Sequence, residues 1–487
     1  MSPFTVTCRG KVLATILLFL AVCPACNKTP QVGGGNNQCE MVLFRFNSSD
    51  NDGLAINATA VRVMNDFFIT VPEDTDLTRL VPAIMVSEGA TAYIDNFQFE
   101  KGTQYDFSGD VQIIKVVSES GTRTNTFRLL VRKGISDIDN MVYSYMKKYG
   151  LPGVSISYAK NETISYTAAY GFSSRENSVR CTPGTLFRIA DVSQALCAVC
   201  IMSCMDEGLL RLEDSPFAPG GILRSRVKSF ILDCYDSIQI RHLLSHSSGL
   251  DDSSFDFSAS SVDDLIRATL DNKELREALS NCPQGKKFCY SNMGYCILQA
   301  VLEEAYHMPY DDVLKMTMAR AGISNIKVGN NTEDEFGQNE CVYYQIGNDD
   351  PYSISVHELG GAVGVVATPR ELTLLLTTID GGTVVPDILH DESRIEMFSP
   401  FTYSHEKEGF SYGYGWSLQK TRYLEKAYYH NGTMYGSTAF CAILPEKGIC
   451  GSLVCNAMFS HIYSNDEFNE ETESLFASIA DKVRTIF

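Results

Sequence analysis

The sequence predicts an α+β protein in two folded parts: a small β-sandwich, then a larger domain of helices on an antiparallel sheet with an all-helical subdomain. Three observations carry this reading. Strand-type runs recur at short intervals between residues 39 and 133, as in a sandwich. Two long, periodic, apolar segments, Leu186 to Met205 and Ser291 to Glu304, read as buried helices. Further strand-type runs then precede a last helix, which sets helices at both ends of the second domain against an antiparallel sheet.

The first residues belong to neither domain. Arg9 and Lys11 lead into an apolar run, Val12 to Val22, that is too short to span a bilayer and has the form of a secretory signal. Cys26 follows Ala25 shortly after that run, as in a bacterial lipobox. Residues 1–25 are therefore expected to be a lipoprotein signal peptide, with Cys26 acylated and the chain held at the cell envelope, periplasmic or surface-exposed, by lipid alone. Cleavage before Cys23, or an ordinary secretory signal without a lipid, are the alternatives. Residues 26–38 include Val32-Gly33-Gly34-Gly35-Asn36-Asn37 and read as a flexible tether.

Residues 39–133 form the expected sandwich, similar in pattern to the immunoglobulin-like domains of bacterial surface lipoproteins. Its strands are expected at Met41 to Phe46, Ala60 to Met64, Phe67 to Val71 and Leu80 to Val86. A hairpin of Val111 to Val117 and Thr126 to Val131 closes it around Glu119-Ser120-Gly121-Thr122. No chemistry-bearing cluster stands out there, so the expected role is a spacer or docking module. Gly134 to Asp139 reads as the linker, and the second domain covers 138–487. In it, Met141 to Tyr149 is helical and Gly153 to Tyr158 is a strand. Tyr412 to Leu418, Thr438 to Leu444 and Gly451 to Cys455 are late strands, and Glu470 to Val483 is the last helix.

Composition narrows the function. The formal charge of −19 on 487 residues disfavours nucleic acid and anionic membrane surfaces as partners. Of sixteen cysteines, Cys197, Cys200 and Cys204 sit at helical spacing in an apolar stretch, where cysteine acts as a small hydrophobe. A metal or redox role for Cys197 and Cys200 lacks a second ligand pair, and no metal or cofactor is expected.

Six separated segments point to one chemistry. Leu151-Pro152-Gly153-Val154 opens the domain, and Phe187-Arg188-Ile189-Ala190-Asp191-Val192-Ser193-Gln194 begins the long helix. Arg241-His242-Leu243-Leu244-Ser245-His246-Ser247-Ser248-Gly249-Leu250 follows, then Phe288-Cys289-Tyr290-Ser291-Asn292-Met293-Gly294-Tyr295. Tyr412-Gly413-Tyr414-Gly415-Trp416 precedes His430-Asn431-Gly432. In this order and spacing the segments resemble the serine β-lactamase and penicillin-binding-protein family, which includes class C β-lactamases, D-alanyl-D-alanine carboxypeptidases and related esterases.

The resemblance implies a serine nucleophile at a helix start with a lysine one turn on, in Ser-x-x-Lys. A Tyr-x-Asn motif and a third motif of the His-x-Gly type line the site, and backbone amides complete an oxyanion hole. Tyr290 and Asn292 match the second motif, and His430 and Gly432 the third. The first is replaced: Asp191 stands at the serine position and Gln194 at the lysine position. Ser193 does not rescue it, because two residues along a helix turn a side chain by about 200°.

A carboxylate is a poor acyl acceptor, since attack would form an anhydride beside donors meant for a developing oxyanion. The expectation is a chain without acyl-transfer activity whose cleft binds a cell-wall peptide, a glycan fragment or an envelope protein. The alternative is a hydrolase (esterase or peptidase) in which Asp191 and Tyr290 activate water; a third possibility is a scaffold with a collapsed cleft. His246 is expected to shape a loop. Asp191 and Gln194 also fit a capping box, with Asp191 covering the first helix amides and Gln194 reaching back to its amide.

Overall fold

The computed structural model describes residues 36–227, 235–252, 255–273, 285, 287–344, 350–403, 410–418, 420–458 and 465–487. Residues 1–25 and Cys26 lie outside the described residues, so the signal and lipid-anchor readings rest on sequence.

The N-terminal domain is a two-sheet sandwich. Its larger sheet has six strands in the order Val61–Val63, Asp66–Val71, Thr124–Lys133, Gln112–Val117, Thr91–Ile94 and Phe97–Gln98. The smaller has three, Ala58–Thr59, Met41–Phe46 and Pro82–Val86. Asp66–Val71 pairs in parallel with Thr124–Lys133, against the antiparallel trend of the rest. Phe44, Phe46, Phe67, Phe107 and Phe127 fill the space between the sheets.

Asp66–Val71 is buried on both faces, and this explains why it reads as a continuous apolar run instead of an alternating one. Phe67 points into the sandwich core, while Phe68 packs on the second domain and stacks on Tyr143 at 5.5 Å between ring centres. The expected linker is therefore corrected. Helix Ser136–Tyr149 begins within it, and Asp139 is fully buried. Thr70 Oγ1 donates to Asp139 at 2.8 Å, the hydroxyls of Tyr166 and Tyr170 donate at 2.7 Å each, and Arg132 pairs with it at 3.2 Å. Partners distant in sequence convert a Gly-led, polar stretch into a fixed joint.

The second domain is built on a six-stranded antiparallel sheet, ordered Val179–Arg180, Thr163–Ser174, Gly153–Lys160, Ile449–Cys455, Ser437–Leu444 and Tyr428–Met434. Alternate residues of the central strands serve two cores. Val154, Ile156 and Leu453 face the terminal helices Ser136–Tyr149 and Asn465–Ile486. Ala159, Cys450 and Val454 face Pro369–Leu376 and the helical region. That region contains Val192–Asp206, Val262–Asp271, Asn292–Tyr306 and Tyr310–Ala319. A three-stranded sheet of Phe187–Arg188, Val365–Ala367 and Ile326–Val328 lies within the same core.

Two expected elements are shorter than read. The helix expected from Leu186 starts at Val192, because Phe187–Arg188 pairs with Val365–Ala367 as a strand. The strand expected over Tyr412 to Leu418 is reduced to Ser411–Tyr412, since Tyr412 bridges back to Ser417 across the turn at Gly415. Cys197, Cys200 and Cys204 are buried and unbridged along Val192–Asp206. No helix among the described residues is long and apolar enough to cross a membrane.

Candidate active site

The cleft forms where the start of Val192–Asp206, the start of Asn292–Tyr306 and the edge strand Tyr428–Met434 converge. Each piece is fixed from behind. Buried Arg188 donates to the carbonyls of Pro351 (2.7 Å) and Asn330 (3.0 Å) and lies over the Tyr343 ring at 4.3 Å. Ala190 takes φ +48°, a left-handed conformation unusual for alanine, and so turns Asp191 toward the strand. Gly432 lets that strand approach: a Cβ there would lie 2.6 Å from the Asp191 nitrogen and 2.8 Å from the Ile189 carbonyl oxygen. Ser291 caps the second helix by accepting from the Gly294 amide at 3.0 Å, and its own amide donates to His246 Nδ1 at 3.1 Å. Tyr290 is held in place by these bonds.

One hydrogen-bonded chain joins the predicted residues. The Tyr290 hydroxyl donates to Asp191 Oδ1 at 2.5 Å, and the Thr433 amide donates to Asp191 Oδ2 at 2.9 Å. Gln194 Nε2 donates to the Tyr290 hydroxyl (2.7 Å) and to Asn292 Oδ1 (3.0 Å). Asn292 Nδ2 donates to Asp252 Oδ2 at 2.8 Å, and Asp252 also accepts from the amides of Asn292 and Met293. The direction of the chain is forced. Asp252 can only accept while ionised, so Asn292 presents its oxygen to Gln194, and Gln194 must present its nitrogen. Gln194 Oε1 is left buried without a partner.

The capping box does not form. Asp191 has helical backbone angles (φ −61°, ψ −14°) and no side-chain bond to the helix amides. A capping side chain needs an extended backbone to fold over those amides. Gln194 points instead at Tyr290 and Asn292. Ser193 is tied elsewhere, donating to the Ala190 carbonyl at 2.7 Å and accepting from the Val365 amide at 3.1 Å, which keeps it out of the cleft.

Electrostatics follow from burial. Desolvation raises the Asp191 and Asp252 carboxyls above the usual range, against the hydrogen bonds that lower them. Enclosure of its hydroxyl end, reinforced by the charge of Asp191, pushes Tyr290 well above its ordinary value while its ring stays exposed at the cleft. His430 is 5 % exposed, and burial takes its pKa down to about 4. Its Nδ1 donates to the Asn431 carbonyl (2.9 Å), which leaves Nε2 to accept from the Tyr412 hydroxyl (3.2 Å). His246, the expected loop-shaping residue, is fully buried against the rings of Tyr290, Tyr295 and Tyr412.

A cavity of about 390 Å³ opens over this network, walled by Asp191, Phe288, Tyr290, Phe410, Tyr412 and His430. The cleft is open, unlike that of a collapsed scaffold. Asn292 and Gln194 lie behind the wall, and Gly432 lies under it. Sequence reading missed Asp252 and Thr433. Asp252 follows the Ser-Ser-Gly-Leu stretch closely enough to have been suspected, whereas Thr433 acts through a backbone amide that side-chain identity does not reveal.

A layered sheet, a long buried helix starting at the cleft, and Tyr-x-Asn and His-x-Gly on its walls together define a protein of the penicillin-binding-protein and β-lactamase class. The beta-lactamase family model matches residues 138–469, and the chain belongs to that family. The model of the SGBP N-terminal domain matches residues 43–129, the sandwich. A penicillin-binding protein of Bacillus subtilis (strain 168) is 26 % identical over 297 residues, 56 % of this chain and 61 % of the relative. Protein flp of Staphylococcus aureus (strain MRSA252) is 23 % identical over 332 residues, 64 % of this chain and 60 % of the relative. The chain thus matches about three-fifths of the length of these relatives. Among solved structures, the penicillin binding protein from Bacillus halodurans superposes with a TM-score of 0.55 at 18 % identity, covering 70 % of this chain and 98 % of that one. A class C beta-lactamase gives 0.55 at 15 %, covering 71 % and 96 %. These last two likenesses concern the fold.

Proposed function

We propose that this chain is an envelope lipoprotein, anchored through Cys26, whose β-lactamase-type cleft binds a ligand without acylating. One observation carries the reading: the Asp191 carboxylate occupies the place of a nucleophile and also takes the Thr433 amide. That amide lies where it would donate to an oxyanion formed at position 191, so the donor is spent on a negative charge already there. Gln194 has no basic site to accept a proton, and Tyr290 is held as a donor to Asp191. A cell-wall peptide, a glycan fragment or an envelope protein are the expected occupants.

The test is intact-mass spectrometry after incubation with benzylpenicillin. No mass increase is expected, and an adduct on any residue of 138–487 overturns the reading. Metabolic labelling with a clickable fatty acid tests the anchor: label should be lost in Cys26→Ser, and its retention there would move or remove the site. The reading in which Asp191 activates water beside Tyr290 is supported by both lining one open cavity. Ester turnover that vanishes in Asp191→Asn would put it in place of the binding reading.

A further inference from the structure

The hydrogen-bonded chain behind the cleft ends in a carboxylate on each side, Asp191 and Asp252, and contains no cation. Among the described residues, no lysine or arginine forms an ion pair with either carboxylate, and the charge of Asp252 acts to raise the Asp191 carboxyl further. Both carboxylates are half-buried, and a carboxylate partly withdrawn from water is ordinarily matched by a cation, because an unmatched charge away from water is costly. Asp252 is partly compensated by two amides at a helix N-terminus. Asp191 faces the cavity.

The walls suit one kind of cation. Phe288, Phe410 and Tyr412 form a continuous aromatic surface, with Phe288 and Phe410 edge to face at 4.7 Å and Phe410 stacked along Tyr412 at 6.4 Å. Tyr290, 38 % exposed, adds a fourth ring beside the carboxylate. Aromatic faces carry negative potential and attract organic cations. The neutral His430 does not oppose one. An inorganic cation needs several oxygen ligands, and no group of three or more His, Cys, Asp or Glu side chains among the described residues could hold a metal ion. An anion meets Asp191 and finds the Thr433 amide already taken.

We propose that the cleft recognises an organic ammonium group, seated on Asp191 and enclosed by Phe288, Phe410, Tyr412 and Tyr290, so that its ligand presents a primary amine on an apolar or aromatic stem. The proposal rests on the reading of this cleft as a binding site. Benzylamine, benzyl alcohol and benzoate share one ring and differ in charge, which makes them a direct probe series. Isothermal titration calorimetry of the full chain at neutral pH is expected to show benzylammonium binding at least about tenfold more tightly than the other two. Asp191→Asn is expected to remove that preference.

Equal or tighter binding of benzyl alcohol or benzoate overturns the ammonium assignment and leaves the binding reading standing. No binding of any probe likewise overturns the ammonium assignment, while the binding reading falls only to a penicillin adduct or to ester turnover. Benzylammonium affinity unchanged in Asp191→Asn overturns the assignment to Asp191. The probe series on the unaltered protein decides the question even if the variant does not fold. A penicillin adduct, by contrast, would defeat the non-acylating reading without touching the charge preference.

Discussion

Asp139 lies in the first turn of Ser136–Tyr149, and Asp191 stands just ahead of Val192–Asp206. Both carboxylates are turned inward and both take a tyrosine hydroxyl, yet their surroundings are opposites. Asp139 has Arg132, Thr70, Tyr166 and Tyr170 around it, none of them on its own helix, and sits where the sandwich meets the second domain. Asp191 has one hydroxyl, one backbone amide and an open cavity. A buried acid with its cation built in holds a structure together. A half-buried acid at the edge of an open cavity, with donors but no cation, can take one from outside.

The largest expected effect comes from undoing what separates position 191 from an active site. The surroundings of residue 194 are acceptors, the Tyr290 oxygen and Asn292 Oδ1, and Gln194 satisfies them with its nitrogen while Oε1 goes unpartnered. That environment still suits a lysine. Asp191→Ser would also release the Thr433 amide. The double variant Asp191→Ser with Gln194→Lys is expected to form a penicillin adduct at position 191 detectable by intact mass, where the parent forms none. Each single change should give far less, because residues of one catalytic unit are strongly non-additive. A folded double variant without an adduct would show that the walls have drifted as well.

Asp139 should show the contrary behaviour. Asp139→Ala strands Arg132 against Tyr170, 4.6 Å from the ring, with no carboxylate. A loss of roughly 3–5 kcal/mol in urea denaturation is expected, the usual consequence of breaking a buried ion pair from one side. A loss below about 1 kcal/mol would mean that the apolar contacts of Phe68 and Tyr143 hold the joint alone and that the comparison is misdrawn.

How far this was legible in the sequence differs between the two carboxylates. The family motifs place Tyr290, Asn292, His430 and Gly432 around position 191, and the structure brings all of them together. The strands and helices with strong periodicity, such as Ser437–Leu444 and Asn292–Tyr306, were also readable. The sequence around Asp139 reads as a linker, because its partners lie on Asp66–Val71, Thr124–Lys133 and Thr163–Ser174, and local sequence does not encode which strands meet it. The capping box failed for a related reason. Asp-x-x-Gln is a local pattern, but Tyr290 and Thr433 compete for Asp191 from distant segments, and the left-handed Ala190 aims the residue at them. Tertiary donors outweighed a local cap.

The smallest expected effect is the most direct test that Asp191 is a carboxylate without a cation. Its folded-state pKa is raised by burial above an unfolded value near about 3.9. The protonated folded state is therefore favoured in acid, and the stability this gives is lost as pH rises through the folded pKa. Asp191→Asn carries no such titration. Urea denaturation of parent and Asp191→Asn, measured from about pH 4 to pH 7, is expected to show the variant gaining stability relative to the parent as pH rises. A variant that instead loses ground over that range would mean that Asp191 is stabilised as an anion within the protein, and the account of an uncompensated carboxylate facing an open cleft would be wrong.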